Sequence, residues 1–493
     1  MDSLLQHLAE WKPFTALVVG DFMLDQLVYG DAERLSADAP VPVLRVRRSE
    51  NRPGGAANVC HDLIAMKGRV LGFGVVGADE DGRALKETLS GKGIDASGLI
   101  VDHDRPTTVK RSLIGLAQQR HPQKMFRVDY ESRDPIPTRI IDQIVDSFRI
   151  ALPRASVVCI EDYNKGVCSA ELCQAVIALC RNAGVPVLVD PAAIDDYSRY
   201  RSATCITPNR NEAELATSLP TDPGETLGRN AAVSGRLLDT LSLDAVVLTL
   251  DRHGALLHQR DCEPLPIPTV ARQVYDVTGA GDMMLAGLAA ARANQIPWPD
   301  AVRFANTAAG LEVEVFGVEP IPLERIHHQL LTERSGTAGK LRTLDQLVIE
   351  VAAHRQHGKR IVFTNGCFDV LHSGHVHLIE EAAKHGDFLI VAINDDASVA
   401  RLKGAGRPVN HQDDRAKVLA ALGGVNAVIL FSDDTPERLL GALRPDVLVK
   451  GGDYTREQVV GGDFVESCGG RVEIVPAVKG RSTTATIAKM RDG

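Results

Sequence analysis

The 493-residue sequence lacks the features that define several protein classes. It has no run of 18 or more consecutive apolar residues, which a membrane-spanning helix needs. Its opening segment carries Asp2 and Glu10 and has no cleavable apolar core. It has no basic excess either, since the formal charge is −9 and nucleic-acid surfaces need a basic face. We therefore expect a cytoplasmic protein that binds neither membranes nor nucleic acid.

Cysteine motifs are also missing. The nine cysteines are an odd number, include no C-x-x-C pair and are scattered singly through apolar segments. Disulfide frameworks and zinc sites usually show paired spacings. We expect reduced and mostly buried thiols.

Length and composition indicate more than one folded domain. A single core stops growing near ~250–300 residues, and 44% hydrophobic with 24% charged residues is ordinary for a soluble globular protein. From about residue 14 to 320, apolar runs alternate with helical patterns, which predicts a mostly parallel sheet covered by helices. Two partly polar, alternating segments, 41–50 and 107–116, read as exposed strands. We interpret these two strands as a lid.

A second α/β pattern follows a polar segment. Residues 332–341 are small, polar and Gly-containing, after a helical pattern that ends near Leu331. A fresh alternation of helices and strands then runs to the end of the chain. We predict a larger α/β domain at 1–331, a linker at 332–341 and a smaller parallel α/β domain at 342–493.

The segment DVTGAGD, 276–282, is the first candidate phosphate site. Gly279, Ala280 and Gly281 precede a strong helix pattern and are small enough for backbone N–H groups to turn toward an anion at the helix start. Asp282 would then lie where it can accept a proton from an attacking hydroxyl. The alternative is a tight turn with Asp282 near a helix N-terminus and no catalytic role.

Three further motifs lie where a sugar and ATP could bind. The first motif is a pair of acidic residues after the first strand. The second is a Gly-Gly pair and an Asn at the start of the next helix. The third is an Asn and a Glu three positions apart, which share one side of a helical turn. The first two groups suit sugar hydroxyls, and the last suits Mg²⁺ waters and ATP phosphates. In this order the residues are Asp21 and Asp25; Gly54, Gly55 and Asn58; Asn209 and Glu212.

The GGAAN and DVTGAGD motifs together resemble the ribokinase-like sugar kinases of the phosphofructokinase B type, over about residues 1–320. The resemblance implies Asp282 as catalytic base and the Gly279–Gly281 turn as anion hole. It also implies Mg²⁺ held through ATP near Glu212, with no direct protein ligand. The implied ATP site consists of Asn209, Arg210, Asn211, Glu212, Gly254 and Asn306.

Three basic residues are candidates for a phosphate already present on the sugar. Lys110, Arg127 and Lys165 lie at positions where a lid strand or a strand end could reach that phosphate. They could equally be solvated surface charges.

The segment from Arg360 to Ala382 is a second candidate phosphate site. His372 and His375 lie at or just before a predicted helix start, beside the positive end of the helix. As metal ligands they would need partners, and only His377 and Asp369 are close in sequence. As phosphate ligands they could stabilise charge on a triphosphate. A pair of capping histidines is the third interpretation.

Later residues favour the phosphate interpretation. Cationic and hydroxyl side chains recur at strand ends and helix starts, which suits a nucleotide site. The segment resembles the cytidylyltransferase-type nucleotidyltransferases over about residues 342–493, with their H-x-G-H and RSTT elements. The resemblance implies attack by a sugar phosphate on the α-phosphorus of a nucleoside triphosphate. The implied nucleotide site, beside the catalytic His372 and His375, consists of Cys367, Phe368, Lys403, Arg407, Arg415, Lys450, Asp453, Arg481, Ser482 and Thr483.

One competing family shares the H-x-G-H element. Class I aminoacyl-tRNA synthetases also contain it, so tRNA is a formal alternative ligand. The acidic chain has no obvious anticodon-binding extension, which disfavours that alternative.

The order of the two domains resembles the bifunctional heptose 7-phosphate kinases and heptose 1-phosphate adenylyltransferases of Gram-negative bacteria. This chain has Glu161 where a Ser is expected before Asp162, and it keeps Lys165. The resemblance implies ATP and Mg²⁺ as cofactors, heptose phosphates as substrates, a separate phosphatase acting between the two steps, and a homodimer formed through the lids. The product would be ADP-heptose for lipopolysaccharide core synthesis.

Two alternatives to this interpretation remain at the sequence level. Spacing alone does not distinguish ATP from CTP or a heptose from another sugar, so the pair could act on a different sugar phosphate. A nucleotide-sensing or scaffold protein without turnover is the second alternative, although Asp282, His372 and His375 are all intact.

Overall fold

The computed structural model describes residues 4, 7–8, 10–116, 122–269, 278–314, 319–332, 340–356, 358–404, 406–452 and 454–476. Internal contacts divide the chain into two compact units, Met1–Ile326 and His327–Gly493. Most of the predicted linker lies outside the described residues, which omit 333–339. No helix in the described ranges is both long and apolar enough to cross a membrane. All nine cysteines are free and six are buried, which confirms the prediction of reduced, mostly buried thiols.

In its described residues, the first unit contains a nine-stranded and a four-stranded sheet. In chain order its strands are β1 (Phe14–Gly20), β2 (Phe22–Leu35), β3 (Pro42–Gly55), β4 (Gly68–Gly77), β5 (Asp95–Asp102), β6 (Thr108–Gly115), β7 (Gln123–Tyr130), β8 (Val157–Glu161), β9 (Val187–Asp190), β10 (Cys205–Ile206), β11 (Ala245–Thr249), β12 (Ala255–Gln259) and β13 (Leu265–Ile267). The large sheet has the order β13-β12-β11-β10-β9-β8-β1-β4-β5, with β12 antiparallel to both neighbours and the strands from β11 to β5 parallel.

The centre of this sheet explains where the first site lies. Every residue of β8 is buried, as expected for a parallel strand covered by helices on both faces. In the register, Gly20 of β1 pairs with Glu161 of β8, and Glu161 pairs with Asp190 of β9. Parallel strands all end at the same edge. The side chains that close these three strands are therefore neighbours.

Helices of the first unit cover the large sheet. They are α1 (Ala56–Ala65), α2 (Glu80–Gly91), α3 (Thr138–Ala151), α4 (Ala170–Ala183), α5 (Arg210–Thr217), α6 (Arg229–Leu241), α7 (Ala280–Ala293) and α8 (Trp298–Glu312), and α9 (Leu323–Thr332) reaches the boundary between the units. Local signals set their ends: the Ser169 hydroxyl accepts from the Leu172 N–H at the start of α4, and Gly184 adopts a left-handed φ of 68° at its end.

The two segments predicted to be exposed strands belong to the four-stranded sheet, as β3 and β6. Its order is β3-β2-β6-β7, with β2 and β6 parallel and the outer pairs antiparallel. Several of its large apolar side chains are exposed, among them Leu35, Val46 and Phe126. An exposed apolar sheet face of this kind often marks a contact surface.

The second unit is a smaller α/β fold on a six-stranded parallel sheet. Its strands are β14 (Leu341–Arg342), β15 (Ile361–Gly366), β16 (Phe388–Asn394), β17 (Ala427–Phe431), β18 (Val447–Gly451) and β19 (Arg471–Val475), in the order β14-β17-β16-β15-β18-β19. Its helices are α10 (Leu344–Gln356), α11 (Ser373–Ala383), α12 (Asp396–Lys403), α13 (Gln412–Ala420), α14 (Glu437–Leu443) and α15 (Gly462–Ser467).

Alternate residues of these strands form two separate cores. Ile361 and Phe363 of β15 pack in one cluster with residues of α10 and α14, whereas Val362 between them packs in the other cluster with residues of α11 and α13. Successive side chains of a strand point to opposite faces. Both faces of the sheet are thus covered, and the polar ends of β15, β16 and β18 are left to form a site.

Candidate active sites

Asp282 lies in the first turn of α7, shortly after Gly279, whose φ of 92° suits glycine. The Asp282 side chain is buried and accepts two hydrogen bonds, one from Asn58 Nδ2 at 2.9 Å and one from the Tyr163 hydroxyl at 2.8 Å. Burial raises the pKa of this carboxyl, and the two hydrogen bonds oppose that rise. The carboxyl is held in a fixed orientation in which it can accept a proton. Tyr163 was not predicted to be part of this site.

Asp21, predicted as an acceptor for sugar hydroxyls, is bonded to a neighbouring loop. Its carboxylate accepts hydrogen bonds from the backbone N–H groups of Tyr163 at 2.8 Å, Lys165 at 3.0 Å and Val167 at 3.3 Å. Only 1% of the residue is exposed, so little of it is left for a sugar hydroxyl. We assign Asp21 as a positioning residue that holds the 163–167 loop beside Asp282.

Asp25 and the two glycines lie together as the sequence suggested. A Cβ on Gly54 would be 2.7 Å from Asp25 Oδ1, and Gly55 has a left-handed φ of 54°. Asp25 Oδ1 is buried and accepts no hydrogen bond from the described residues. Burial raises the pKa of Asp25 to about 6, against the opposing charge of Lys110. A carboxylate in this state is suited to a ligand hydroxyl.

A cluster of three carboxylates lies at the edge of the large sheet. Glu161, Asp190 and Asp282 each place an oxygen within 4.8 Å of the others. Asp190 accepts a hydrogen bond from the Thr207 hydroxyl at 2.7 Å, while Glu161 Oε2 is buried and has no hydrogen-bond partner in the described part of the chain. Burial, followed by the charges of Asp190 and Asp282, raises the pKa of Glu161 well above its usual range. Oxygen ligands of this kind fit Mg²⁺. Asp190 was missed by sequence reasoning, although its place at the end of an apolar strand run was a usable signal.

Asn209 and Glu212 cap the start of α5 reciprocally. Asn209 Oδ1 accepts from the Glu212 N–H at 3.0 Å, and Glu212 Oε2 accepts from the Asn209 N–H at 2.8 Å. Burial raises the pKa of Glu212, whose charge also raises the pKa of Asp190. The charge of Glu212 is therefore felt at Asp190, one member of the carboxylate cluster.

Three further residues of the predicted ATP site, Arg210, Asn211 and Gly254, have different local contacts. Arg210 donates to the Asp222 carbonyl at 2.6 Å and pairs with Asp251 at 3.3 Å, and Asn211 is exposed. Gly254 has a φ of 88°, and a Cβ there would be 2.2 Å from the Ile267 carbonyl oxygen. The structure therefore requires glycine at position 254 for local backbone packing.

Asn306 supports the strand end beside Gly254. Its side-chain amide donates to the carbonyl groups of Ile267 at 3.4 Å and Pro268 at 3.1 Å. Residues 270–277, which include the first part of the DVTGAGD motif, lie outside the described residues.

The three basic residues of the predicted sugar-phosphate site have partners. Lys165 Nζ forms a 2.5 Å ion pair with Glu131. Arg127 pairs with Asp129 at 2.8 Å on β7. Lys110 Nζ lies 4.5 Å from the centroid of the Tyr163 ring, and its charge lowers the pKa of both Asp25 and Asp282. Of the three, Lys110 is the one whose charge acts on Asp282.

The second unit contains a cavity of about 450 Å³ at the strand ends. The predicted residues that line it are Cys367, Phe368, His375, Lys403, Arg407 and Lys450. The sequence analysis missed other lining residues, among which Asn365 is the last residue but one of β15 and Asn394 is the last residue of β16. The cavity therefore combines a cationic group of side chains with polar strand ends, as a nucleotide requires.

His372 and His375 stack beside this cavity, with ring centroids 4.0 Å apart. His372 caps α11 and accepts from the Gly374 N–H at 3.2 Å, so the capping interpretation holds for this residue. Burial and the neighbouring His372 lower the pKa of His375 to about 4. His375 is thus neutral at pH 7, and a neutral imidazole has one ring N–H that can donate to a ligand. Within the described residues, no cluster of three metal-ligating groups includes either histidine.

Asp369 holds the loop that carries Arg407. Its carboxylate accepts from Arg407 Nε and from the N–H groups of Val409 at 2.6 Å and Asn410 at 3.1 Å. One edge of the Arg407 guanidinium is thereby fixed at the cavity wall. Asp369 was predicted only as a conceivable metal ligand, and the structure gives it a structural role instead.

Arg415, which was predicted to contact the nucleotide, bonds to protein groups in this structure. Only 2% of the residue is exposed, and it is not among the described residues that line the cavity. Its guanidinium donates to the carbonyl groups of Cys367 at 2.6 Å, Asn394 at 2.8 Å and Asn410 at 3.1 Å, and to Asp396 at 2.7 Å. Arg415 thus ties together the backbone segments that surround the cavity.

Lys450 points to the end of β15. Its Nζ donates to the Asn365 side chain at 3.1 Å, and burial lowers its pKa. The other predicted residues of this site, Asp453, Arg481, Ser482 and Thr483, lie outside the described residues.

Comparison with known proteins agrees with both units. The model of the pfkB family carbohydrate kinases matches residues 15–324, and the cytidylyltransferase-like model matches residues 363–478. The fold and sites thus define a carbohydrate kinase joined to a nucleotidyltransferase. The chain is 45% identical to the bifunctional protein HldE of Geobacter metallireducens over 99% of this chain and 98% of the relative, and 43% identical to that of Ectopseudomonas mendocina over 97% of each. The chain belongs to the bifunctional HldE family.

Solved structures show the fold of the first unit. Phosphofructokinase-2 of Escherichia coli, in complex with substrates and products, matches 65% of this chain and all of its own with a TM-score of 0.53 and 16% identity. Arabidopsis thaliana ribokinase, complexed with ribose and ATP, matches 65% of this chain and 99% of its own with a TM-score of 0.50 and 21% identity. Both confirm the predicted ribokinase-like architecture.

Proposed function

We propose that the chain performs the two ATP-dependent steps of ADP-heptose synthesis. The first unit phosphorylates D-glycero-D-manno-heptose 7-phosphate at C1 to the 1,7-bisphosphate. The second unit transfers an adenylyl group from ATP to heptose 1-phosphate and releases pyrophosphate. The observation that carries this proposal is the presence of two phosphate-type sites in two separate folds, Asp282 at the start of α7 and the histidine-flanked cavity of the second unit. Membership of the bifunctional HldE family supports the pairing.

The kinase step uses Asp282 as general base. The C1 hydroxyl gives its proton to an Asp282 oxygen while the hydroxyl oxygen attacks the γ-phosphorus of ATP, and ADP leaves. Asn58 and Tyr163 keep the carboxyl in position. The N–H groups of the Gly279–Gly281 turn stabilise charge on the transferred phosphoryl group.

Mg²⁺ fits the residues beside this base. Asp190 and Glu212 would hold the ion through their hard oxygen atoms, either directly or through water. When bound with ATP, Mg²⁺ neutralises phosphate charge. The side chains of this chain orient the nucleotide and exclude water around Asp282.

The adenylyl transfer needs no covalent enzyme intermediate. A phosphate oxygen of heptose 1-phosphate attacks the α-phosphorus of ATP, and the bond to the β-phosphate oxygen breaks. His375 donates a hydrogen bond to the charge that develops there, while Lys403 and Arg407 act on the triphosphate oxygens. The predicted tail residues Arg481, Ser482 and Thr483 complete this site in the proposal.

A separate phosphatase must remove the 7-phosphate between the two steps, since the kinase product carries two phosphates and the second substrate carries one. We also place the protein in the cytoplasm, where both steps can draw on the same ATP.

Phosphorus-31 NMR tests this function. The protein with Mg²⁺, ATP and heptose 7-phosphate should give a new anomeric phosphate signal, and adding a 7-phosphatase should then give a sugar diphosphate signal and pyrophosphate. Anomeric phosphorylation with a different sugar phosphate, or a diphosphate formed only from CTP, would overturn the heptose or ATP assignment and leave the two reaction classes in place. No turnover with any sugar phosphate would favour the scaffold alternative.

We further propose that the four-stranded sheet forms a homodimer contact. Its exposed apolar side chains, including Leu35, Val46 and Phe126, would be buried against a second copy. The wild type should sediment as a dimer and the Phe126→Asp variant as a monomer, because a charge at that interface is costly to bury. A monomeric wild type in analytical ultracentrifugation would contradict the proposal.

A further inference from the structure

Outside the two candidate active sites, one cluster of side chains combines imidazole and carboxylate groups. His328 lies on α9, and Glu350 and His354 lie on α10. Each of the three residues places one possible ligand atom within 4.8 Å of the other two. All three belong to the second unit, which begins at His327. None of them is among the described residues that line the nucleotide cavity, so the cluster is separate from the proposed catalytic machinery.

Helical spacing brings two of these side chains together. Glu350 and His354 are four positions apart on α10, so they lie on the same face of the helix. Both are buried, with 2% of Glu350 and 6% of His354 exposed. The His354 ring packs against the ring of Phe388 on β16, with centroids 4.2 Å apart, and this contact limits rotation of the imidazole. The fold thus holds a carboxylate and an imidazole side by side at a buried position.

The third side chain, His328, lies against both of them. Its ring centroid is 4.9 Å from that of His354, and its Nδ1 is 3.9 Å from Glu350 Oε1. A separation of 3.9 Å is too long for a hydrogen bond. The other oxygen, Glu350 Oε2, accepts a hydrogen bond from Arg342 Nε at 2.9 Å. The Glu350 charge therefore has a positive partner already and does not require a protonated His328.

We propose that His328, Glu350 and His354 bind a zinc-type divalent cation. Two imidazoles and one carboxylate are a known set of zinc ligands, with water or an anion in the fourth position. Tetrahedral bonds of about 2.0–2.1 Å put two ligand atoms roughly 3.3 Å apart, so a movement of less than about 1 Å would bring His328 Nδ1 and Glu350 Oε1 onto one ion. Imidazole nitrogens favour Zn²⁺ over Mg²⁺. This inference goes beyond the proposed function, which uses no residue of the cluster.

The surroundings of the cluster meet two further requirements of a metal site. A ligating carboxylate is usually oriented by a hydrogen bond from a residue behind it, and Arg342 provides this bond to Glu350. An ion also needs a route from solvent, and 36% of the His328 side chain is exposed. The competing interpretation is an ion pair between a protonated His328 and Glu350 that binds no metal.

Cobalt(II), used as a spectroscopic substitute for zinc, tests the site on the full chain. Excess Mg²⁺ is present to occupy sites made only of oxygen ligands. The wild type should bind Co²⁺ with the strong visible absorption of a four-coordinate site, and Zn²⁺ should displace it. His328→Gln and His354→Gln should each weaken binding about tenfold or more, since even residues behind metal ligands change affinity about 10–100-fold. His103→Gln, which changes an exposed histidine of the first unit, is the matched control and should bind as the wild type does.

Thermal unfolding gives a second readout that does not depend on either enzymatic activity. Zn²⁺ should raise the unfolding temperature of the wild type more than that of His328→Gln. With a chelator present the two should unfold at similar temperatures, because His328 is partly exposed, so this variant decides the question even if the buried His354→Gln does not fold. Binding to the exposed thiols of Cys262 and Cys468 would be equal in the wild type and both variants. Such equal binding, or no Co²⁺ binding by the wild type, would overturn the proposal.

Discussion

Asp282→Asn should lower the rate of sugar phosphorylation about 100-fold or more, and leave adenylyl transfer from supplied heptose 1-phosphate unchanged. A positioned general base typically contributes 10²–10⁴-fold, and an amide of the same shape cannot take up the proton. The substituted side chain still has an amide oxygen that can accept a hydrogen bond from Asn58 or Tyr163, so the fold should survive. Both rates are measured on the same protein preparation by coupled assays for ADP and pyrophosphate.

Tyr163→Phe is the matched comparison for that substitution. It removes the 2.8 Å hydrogen bond to Asp282 and keeps the carboxylate, so phosphorylation should fall less, by roughly 10-fold to 100-fold for a hydrogen bond to a charged group. Loss of adenylyl transfer in a folded Asp282→Asn protein would contradict two independent sites. An equal loss in the two variants would contradict the assignment of Asp282 as the proton acceptor.

His375→Ala should give the reverse pattern. Removing one hydrogen-bond donor aimed at developing charge typically costs about 10²–10³-fold, and we expect a loss of this size in adenylyl transfer with phosphorylation intact. His375 lines the cavity, whereas His377 on the same helix is not among the described lining residues, so His377→Ala is the matched control. The measurement is pyrophosphate release from ATP and heptose 1-phosphate at saturating concentrations.

The control also separates two interpretations of the histidines. If they stabilise phosphate charge, His377→Ala should keep adenylyl transfer close to that of the wild type. If they are metal ligands with His377 as a partner, both variants should fail and added metal should alter both. Full activity of His375→Ala would remove this residue from the proposed mechanism.

Periodicity predicted the long elements of the second unit well. Buried apolar runs mark β15 to β18, and the helical patterns correspond to α10, α11, α13 and α14. The sequence analysis did not indicate α12, α15, the strand β19 or the short edge strand β14, which has only two residues. The start of α12 had a local signal, since the Asp395 side chain accepts from the Ser398 N–H. Short elements carry too few residues to show a period.

Some residues of the candidate sites could likewise be recognised from the sequence, and others could not. Motif residues such as Asp282 could be recognised because glycines and a helix start lie beside them in the chain. The hydrogen-bond partners of Asp282 could not be recognised from the sequence, because Asn58 and Tyr163 lie 224 and 119 positions away in the chain. Arg415 shows the converse limit of sequence reasoning. A basic residue near a nucleotide motif does not reveal that its guanidinium donates to backbone carbonyl groups, as the structure shows for Arg415.

The long separation between Asn58 and Asp282 has a consequence for synthesis of the chain. Their hydrogen bond spans 224 positions, and at about 5–20 residues per second the ribosome needs roughly 10 to 45 s to add the second partner after the first. In the second unit, the bonds of Arg415 to Cys367 and of Lys450 to Asn365 span only 48 and 85 positions. The nascent protein therefore carries an incomplete first site for much longer than an incomplete second one, although the first is encoded earlier.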